Sequence, residues 1–449
     1  MLGAWGFSVD DALISGRVAH HLYAGHGYRF NPSGPVVDAV TPLGWAYLLA
    51  PFGTDPSSAV NAARWLGGFA WALAAAVLGS QLARHDCRSP LVLLVVAACL
   101  PLGAWSVAGM ETGFVIALCA LALLGNSLGA ASAGLAAALR PELLPWAIAL
   151  ALGAGIVRRE SLTSLLRLAG LSLLPFAIVV AIRSVVFGSP APLAVFAKPS
   201  DFSHGLRYAL GALLLSGPTY LLLSRHTFRD KRLLPILAAT AVHWITLLGV
   251  GGDWMPLWRL WMPVVPGLIF AGAIVANHSR PVLTWARCGL ALAVCAVIQV
   301  GLGASSRSVW EERQRWIAQA RGLLSTSQRI ATLDVGWVGA AFPGPIVDLS
   351  GVTDPRIAWL PGGHTSKQVP ANLLVRQRVD TLVLLGYPSN SQQIGTNWVH
   401  DRYARSVESR LARAAQPLDF RVIGDVPIAG GQRYVILRRA LPSELAAAP

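Results

Sequence analysis

Residues 168–187 read LAGLSLLPFAIVVAIRSVVF, twenty positions that carry a single charge, Arg183. About twenty apolar residues in a helix cross a hydrocarbon core of ~30 Å, where no water completes open backbone groups. The stretch reads as a membrane span, and the rest of the 449-residue chain agrees with it. Hydrophobic residues make up 54% of the sequence and Asp, Glu, Lys and Arg only 13%, about half the charged share of an ordinary soluble domain. With a mean hydropathy of +0.54, the chain has more apolar surface than aqueous cores absorb, which excludes a soluble globular enzyme.

Runs of similar character occupy 58–82, 90–106, 107–125, 141–157, 206–224, 233–250, 260–277 and 283–303. A shorter run at 127–140 is rich in the small residues that favour close helix packing in a bundle. The expectation is a polytopic α-helical membrane protein of about ten spans, covering 58–303. TPLGWAYLLAPFG at 41–53, with Pro near both ends, suits a helix lying at the interface better than a crossing. From about 304 the composition changes to short runs rich in Val, Ile and Leu, such as PIVDLSG and TLVLLGY, with a helical stretch near 399–415. Residues 304–449 read as an α/β domain, and the alanine-rich tail after 440 as frayed.

Basic residues in short loops set the orientation, because the cytoplasmic side retains them. One set of alternate loops holds eleven, including Arg84, Arg88, Arg158, Arg159 and Arg232, and the other holds four: Arg140, Lys198, Arg207 and Arg259. The expectation is a multi-pass protein of the cytoplasmic membrane, with residues 1–57 and the α/β domain outside the cell. Much of the net charge of +14 is then topological, and a nucleic-acid partner loses its main support. An exterior N-terminal segment normally needs a helix ahead of it to carry it across, so the sequence is expected to begin downstream of its natural start. Five cysteines, Cys87, Cys99, Cys119, Cys288 and Cys295, lie in or beside apolar runs and form neither a disulfide framework nor a C-x-x-C knuckle.

Acidic residues at three places in the chain fall on the exterior side. Asp10 and Asp11 precede the helical pattern ALISGRVAHHLYAG, where Asp10 suits a helix cap and Asp11 a first-turn partner of the dipole. The sharper reading is a carboxylate that accepts a proton from an acceptor hydroxyl. Glu111, in GMETG, and Asp253, in GGDWMP with Arg259 six residues on, are either solvated loop charges or members of the same site. Carboxylates facing a membrane cavity are costly, which favours the second reading. Arg140, Arg183, Lys198, Arg207 and Arg259 form a cationic set on the side that topology depletes. Arg183 can also be a snorkelling span residue. A phosphate ligand accounts for the set, since guanidinium forks bind its oxygens bidentately. His20, His21 and His26 lack a zinc spacing, and His243, alone in an apolar run, suits an interhelical hydrogen bond. No cofactor is expected, although Asp10, Asp11 and Glu111 together offer oxygen ligands to a divalent cation. The sixteen Trp suit an interfacial belt, with Trp5, Trp254 and Trp258 also able to stack on sugar.

In order along the chain, DDALISGRVAHHLYAGHGYRFNP, TPLGWAYLLAPFG, GMETG, LRPELL, GGDWMPLWRLWMPVVP and DVGWVGAAF with PIVDLSGVTDP resemble the GT-C superfamily of polyprenyl-phosphate-sugar-dependent glycosyltransferases. The branch they look most like is the mycobacterial and corynebacterial terminal arabinofuranosyltransferases. The resemblance implies transfer of a sugar, arabinofuranose in this branch, from a polyprenyl-phosphate donor to a cell-envelope glycan outside the cytoplasmic membrane. It implies catalytic carboxylates at Asp11, Asp10 and Glu111. A substrate-binding set of Arg140, Arg183, Lys198, Asp253, Arg259 and His26 would surround the donor phosphate. The family pattern has a transmembrane helix before the Asp pair that this sequence lacks. The competing class is a transporter or flippase of polyprenyl lipid or solute, which predicts repeated halves with interrupted helices.

Overall fold

The structure is a computed structural model that describes residues 2–85, 90–387, 398, 402–428 and 431–439. Its N-terminal helix α1 (Asp10–Tyr23) begins after extended Val9, with Asp10 and Asp11 in its first turn and His20 and His21 in its last. Eight consecutive residues, Ala12–Ala19, are buried, so α1 is a central strut of the fold.

Three described helices are long and apolar enough to cross a membrane: α2 (Pro56–Arg84), α3 (Leu162–Phe187) and α4 (Pro281–Leu324). Asp55 caps α2 by accepting from the N–H groups of Ser57 and Ser58, and Pro56 occupies the first helical position. Ser161 caps α3, which ends at left-handed Gly188. The other apolar runs also fold as helices, but shorter ones: Thr112–Ala122, Ser127–Leu139, Pro141–Val157, Leu234–Val250 and Met262–Asn277. At 1.5 Å per residue, lengths of 10–17 residues reach roughly 15–26 Å. The run at 90–106 is interrupted at Cys99, between Pro90–Ala98 and Leu100–Ser106, where Pro101 removes a ladder donor. The run at 206–224 likewise ends its helix at Leu215, ahead of Gly217 and Pro218. Residues 41–53 hold only a short helix, Trp45–Leu49, and a 3-10 turn, Ala50–Phe52.

The boundary expected at 303/304 is not a break in the chain path. Helix α4 runs through it to Leu324, because nothing between Gly303 and Trp310 stops a helix. Buried Trp310, Ile317, Ala320 and Leu324 continue a helical face under the charged EERQR segment. The change in composition there marks where a helix becomes amphipathic.

Beyond α4 the described residues form a small sheet of six strands: β1 (Ile330–Thr332), β2 (Ile346–Asp348), β3 (Thr381–Tyr387), β4 (Arg402–Tyr403), β5 (Phe420–Pro427) and β6 (Arg433–Arg439). The order is β2-β1-β3-β6-β5, with β4 pairing β3. Strands β1, β2 and β3 are parallel, whereas β6 runs antiparallel to both β3 and β5. Helix α5 (Val335–Ala341) connects β1 to β2, and α6 (Ser406–Ala415) covers part of the stretch expected to be helical. Residues 399–401 and the tail after 440 lie outside the described residues, as do Cys87 and Arg88. Cys99, Cys119, Cys288 and Cys295 are buried free thiols.

Polar contacts join the sheet domain to the helical part. The Asp10 carboxylate accepts from the Gly336 and Trp337 N–H groups at 2.8 and 2.9 Å, at the start of α5. Seven residues further along α1, the Arg17 guanidinium donates to the Gly339, Phe342 and Gly344 carbonyls, each at 2.6 Å, at the end of α5. Helix α1 thus meets the open N–H groups at one end of α5 with the Asp10 carboxyl and the open carbonyls at the other with the Arg17 guanidinium. Gly336 is required there, because a Cβ would stand 2.1 Å from the Asp10 carbonyl oxygen. Asn31 donates to the Ile346 carbonyl and accepts from its N–H, at 2.8 and 2.9 Å.

Candidate active site

A cavity of about 230 Å³ opens where α1 meets five connecting segments. Asp11 and Ser15 come from α1, Thr41 and Pro42 from the loop before Trp45, Glu111 from the turn before Thr112, and Arg140 and Glu142 from the Ser127–Leu139 helix end. Lys198, Asp253 and Arg259 complete its charged lining, and Val352 reaches it from the sheet domain. Gly109, at φ +83°, makes the turn that delivers Glu111.

Salt bridges organise these groups into two linked sets. Arg140 bonds Glu111 through Nη1 at 2.8 Å and Glu142 through Nε at 2.7 Å. Arg259 bonds Asp253 through Nε at 2.7 Å, and its Nη1 stands 3.7 Å from Asp11 Oδ2. Lys198 Nζ approaches the same Asp11 oxygen at 3.8 Å. These last two contacts are longer than hydrogen bonds, so Asp11 is held between two cations while its carboxylate, 27% exposed, stays open to the cavity. Glu111 is fully buried, yet its Oε2 has no hydrogen-bond partner. Burial alone would raise the Asp253 carboxyl, but Arg259, with Lys198 and Arg140 beyond it, holds it below the ordinary range.

The segment before Arg259 is strained and tightly held. Leu257 and Trp258 both adopt positive φ, at 60° and 51°, at a cost of order 1–3 kcal/mol each. Buried Trp105 donates to the Pro256 and Leu257 carbonyls at 3.1 Å. The Leu260 N–H donates to the Tyr208 hydroxyl, and His243 Nε2 bonds the Leu260 carbonyl, both at 2.8 Å. His243 is thus the hydrogen-bond partner its solitary place in an apolar run suggests.

The structure gathers Asp11, Glu111, Arg140, Lys198, Asp253 and Arg259 around one cavity and puts three sequence candidates elsewhere. Asp10 faces away from it, toward α5. There desolvation and the neighbouring Asp334 push its carboxyl up to about 7, against Arg313. Arg183 is occupied by Asp38, at 2.8 Å, and by the Thr41 carbonyl, so it anchors the loop that forms one cavity wall. His26 is exposed and lines a separate cavity with Arg17, His20 and His21. Among the described residues no group of three or more His, Cys, Asp or Glu side chains is placed to hold a metal ion.

Sequence reasoning missed two participants. Asp38 has no motif around it, and only its pairing with a span arginine gives it meaning. His364, in the sheet domain, senses the charges of Lys198, Asp11 and Asp253, a proximity across more than a hundred residues that no local pattern encodes. No protein-family model, curated protein or solved structure matches the chain.

Proposed function

We propose that the chain is an integral-membrane glycosyltransferase of the GT-C kind. In this reading it moves a sugar, arabinofuranose in the first instance, from a polyprenyl-phosphate donor to a cell-envelope glycan. A bundle of about ten membrane-inserted helices would hold the cavity and the sheet domain on the outer face of the cytoplasmic membrane. The observation that carries the proposal is the convergence of Asp11, Glu111, Arg140, Lys198, Asp253 and Arg259, from five separate stretches of sequence, on one cavity.

The chemistry that suits this lining begins at the donor phosphate, which is both handle and leaving group. Lys198 and the Nη edge of Arg259, whose approaches to Asp11 at 3.8 and 3.7 Å are longer than hydrogen bonds, are the cationic groups with capacity to receive it, because Arg140 is already neutralised by Glu111 and Glu142. As the bond between the anomeric carbon and the phosphate oxygen breaks, its electron pair stays on the phosphate. Fixed cations stabilise that growing charge without reorganising. The acceptor hydroxyl oxygen forms the new bond to the anomeric carbon, and its proton passes to the Asp11 carboxylate. Asp11 suits the role because it is open to the cavity and stands between two cations. The products are the glycoside and the polyprenyl phosphate. Glu111, fully buried, fixes Arg140 in the cavity wall.

The test uses the full chain in lipid vesicles, with radiolabelled polyprenyl-phosphoarabinose and an oligosaccharide acceptor. Label is expected to enter the oligosaccharide. Labelled lipid that crosses the bilayer without any transfer would replace this reading with that of a flippase.

A further inference from the structure

Two exposed tryptophans stand beside residues that line the cavity. Trp254 follows Asp253 and is 57% exposed; Trp359, on the loop after β2, is 66% exposed. Each is backed by a second ring. His204 stacks on Trp254 at 4.2 Å and 15°, and Phe196 on Trp359 at 4.2 Å and 29°. Phe196 lies two residues before Lys198, and Val195 beside it lines the cavity, as does Asp253 beside Trp254, so each ring adjoins a segment of the cavity wall. The edge of His364 meets Trp254 at 5.3 Å. Burial and the nearby Lys198 pull the His364 imidazole down to about 4, which leaves it neutral at pH 7 with a polar edge for hydroxyl groups.

The loop that carries Trp359 and His364 is pinned in place. Buried Lys367 donates to the Ala358 and Leu360 carbonyls at 2.7 and 3.0 Å, and the Gln368 N–H donates to the Pro361 carbonyl at 2.8 Å. From α6, Arg410 donates to the Ser366 and Lys367 carbonyls. The rings are therefore pre-organised, the condition under which a binding surface loses least on ordering.

We propose that Trp254 and Trp359, with His364 between the two parts of the chain, form the subsite for a neutral glycan acceptor, the sheet domain supplying half of it. A sugar offers an apolar C–H face to a ring and hydroxyls to an imidazole, which matches what these side chains present. A lipid tail would have no use for the two histidines, and Trp254 and Trp359, unlike the exposed Trp65 and Trp285, do not lie on membrane-length helices. The proposal rests on the transferase reading and refines it by naming where the acceptor lies.

The experiment measures equilibrium binding of a fluorescent synthetic arabinofuranosyl hexasaccharide to the full chain in lipid nanodiscs, without donor. Trp254→Ala and Trp359→Ala are each expected to weaken binding about tenfold, the loss of one stacked ring. Trp254→Phe and Trp359→Phe retain a ring and are expected to lose less, which separates stacking from misfolding. Trp285→Ala is expected to leave the affinity unchanged. Parental affinity in both alanine variants overturns the proposal, as does failure of the parent to bind the hexasaccharide. So does an equal loss of affinity for polyprenyl-phosphoarabinose, which would assign the rings to lipid. Binding that follows the expected pattern without any sugar transfer leaves the glycan subsite standing and removes the transferase reading.

Discussion

Replacing Arg17 by Met tests how the sheet domain is held to the helical part. The Arg17 guanidinium is buried and has no carboxylate partner. It donates to the carbonyls of Phe30, Gly339, Phe342 and Gly344 at 2.6–2.8 Å, and to Pro343 at 3.4 Å. The bonds to Phe30, Gly339 and Phe342 are fully buried, and water cannot readily replace them. Each orphaned carbonyl costs about 1–2 kcal/mol, and the apolar burial gained by Met offsets about 1 kcal/mol of the total. A net loss of about 2–5 kcal/mol follows, which speeds local opening roughly 30-fold or more. Hydrogen exchange across residues 335–344 reads this directly, with α3 as an internal reference. An Arg17→Met protein whose α5 amides exchange at the parental rate would refute the account of how the domain is docked.

Two further outcomes follow from buried charge. Arg183→Met strands the Asp38 carboxylate, 5% exposed, and is expected to destabilise by about 3–5 kcal/mol, whereas pairing it with Asp38→Leu recovers most of that loss; thermal unfolding of the three proteins checks the cycle. Asp10, raised to about 7, keeps its proton in the folded protein after the unfolded chain has released its own near pH 4. Its contribution is therefore most favourable below that value and fades as pH rises through about 7. The unfolding temperature is expected to fall over that window, and the Asp10-dependent part of the fall to vanish in Asp10→Asn.

Much of the site was legible because its residues carry charge where charge is expensive. Asp11, Glu111, Arg140, Lys198, Asp253 and Arg259 all stood out against apolar surroundings, and the structure brings them to one cavity. The adjacent acids Asp10 and Asp11 could not be told apart in the sequence. They lie about 100° apart on a helix, so one faces the cavity and the other faces α5, a division that only the packing of α1 decides. Arg183 looked like a phosphate ligand because its partner, Asp38, lies 145 residues away. The strands β1, β2, β3, β5 and β6 followed their Val, Ile and Leu runs. The end of α4 did not follow the composition, since a helix leaving an apolar environment keeps its backbone pattern while its surface changes. Trp359 and His364 depend on a turn held by buried Lys367, by Gln368 and by Arg410 from α6, partners that no local pattern announces.

The division of labour between Asp10 and Asp11 is the central claim, and single-turnover transfer from polyprenyl-phosphoarabinose measures it. Asp11→Asn is expected to lower the rate by about 10²–10⁴, the contribution of a positioned base, while donor binding changes little. Asp10→Asn, folded and binding donor, is expected to keep the rate within about tenfold of the parent. Full transfer by Asp11→Asn, or an equal collapse in both variants, would contradict the account.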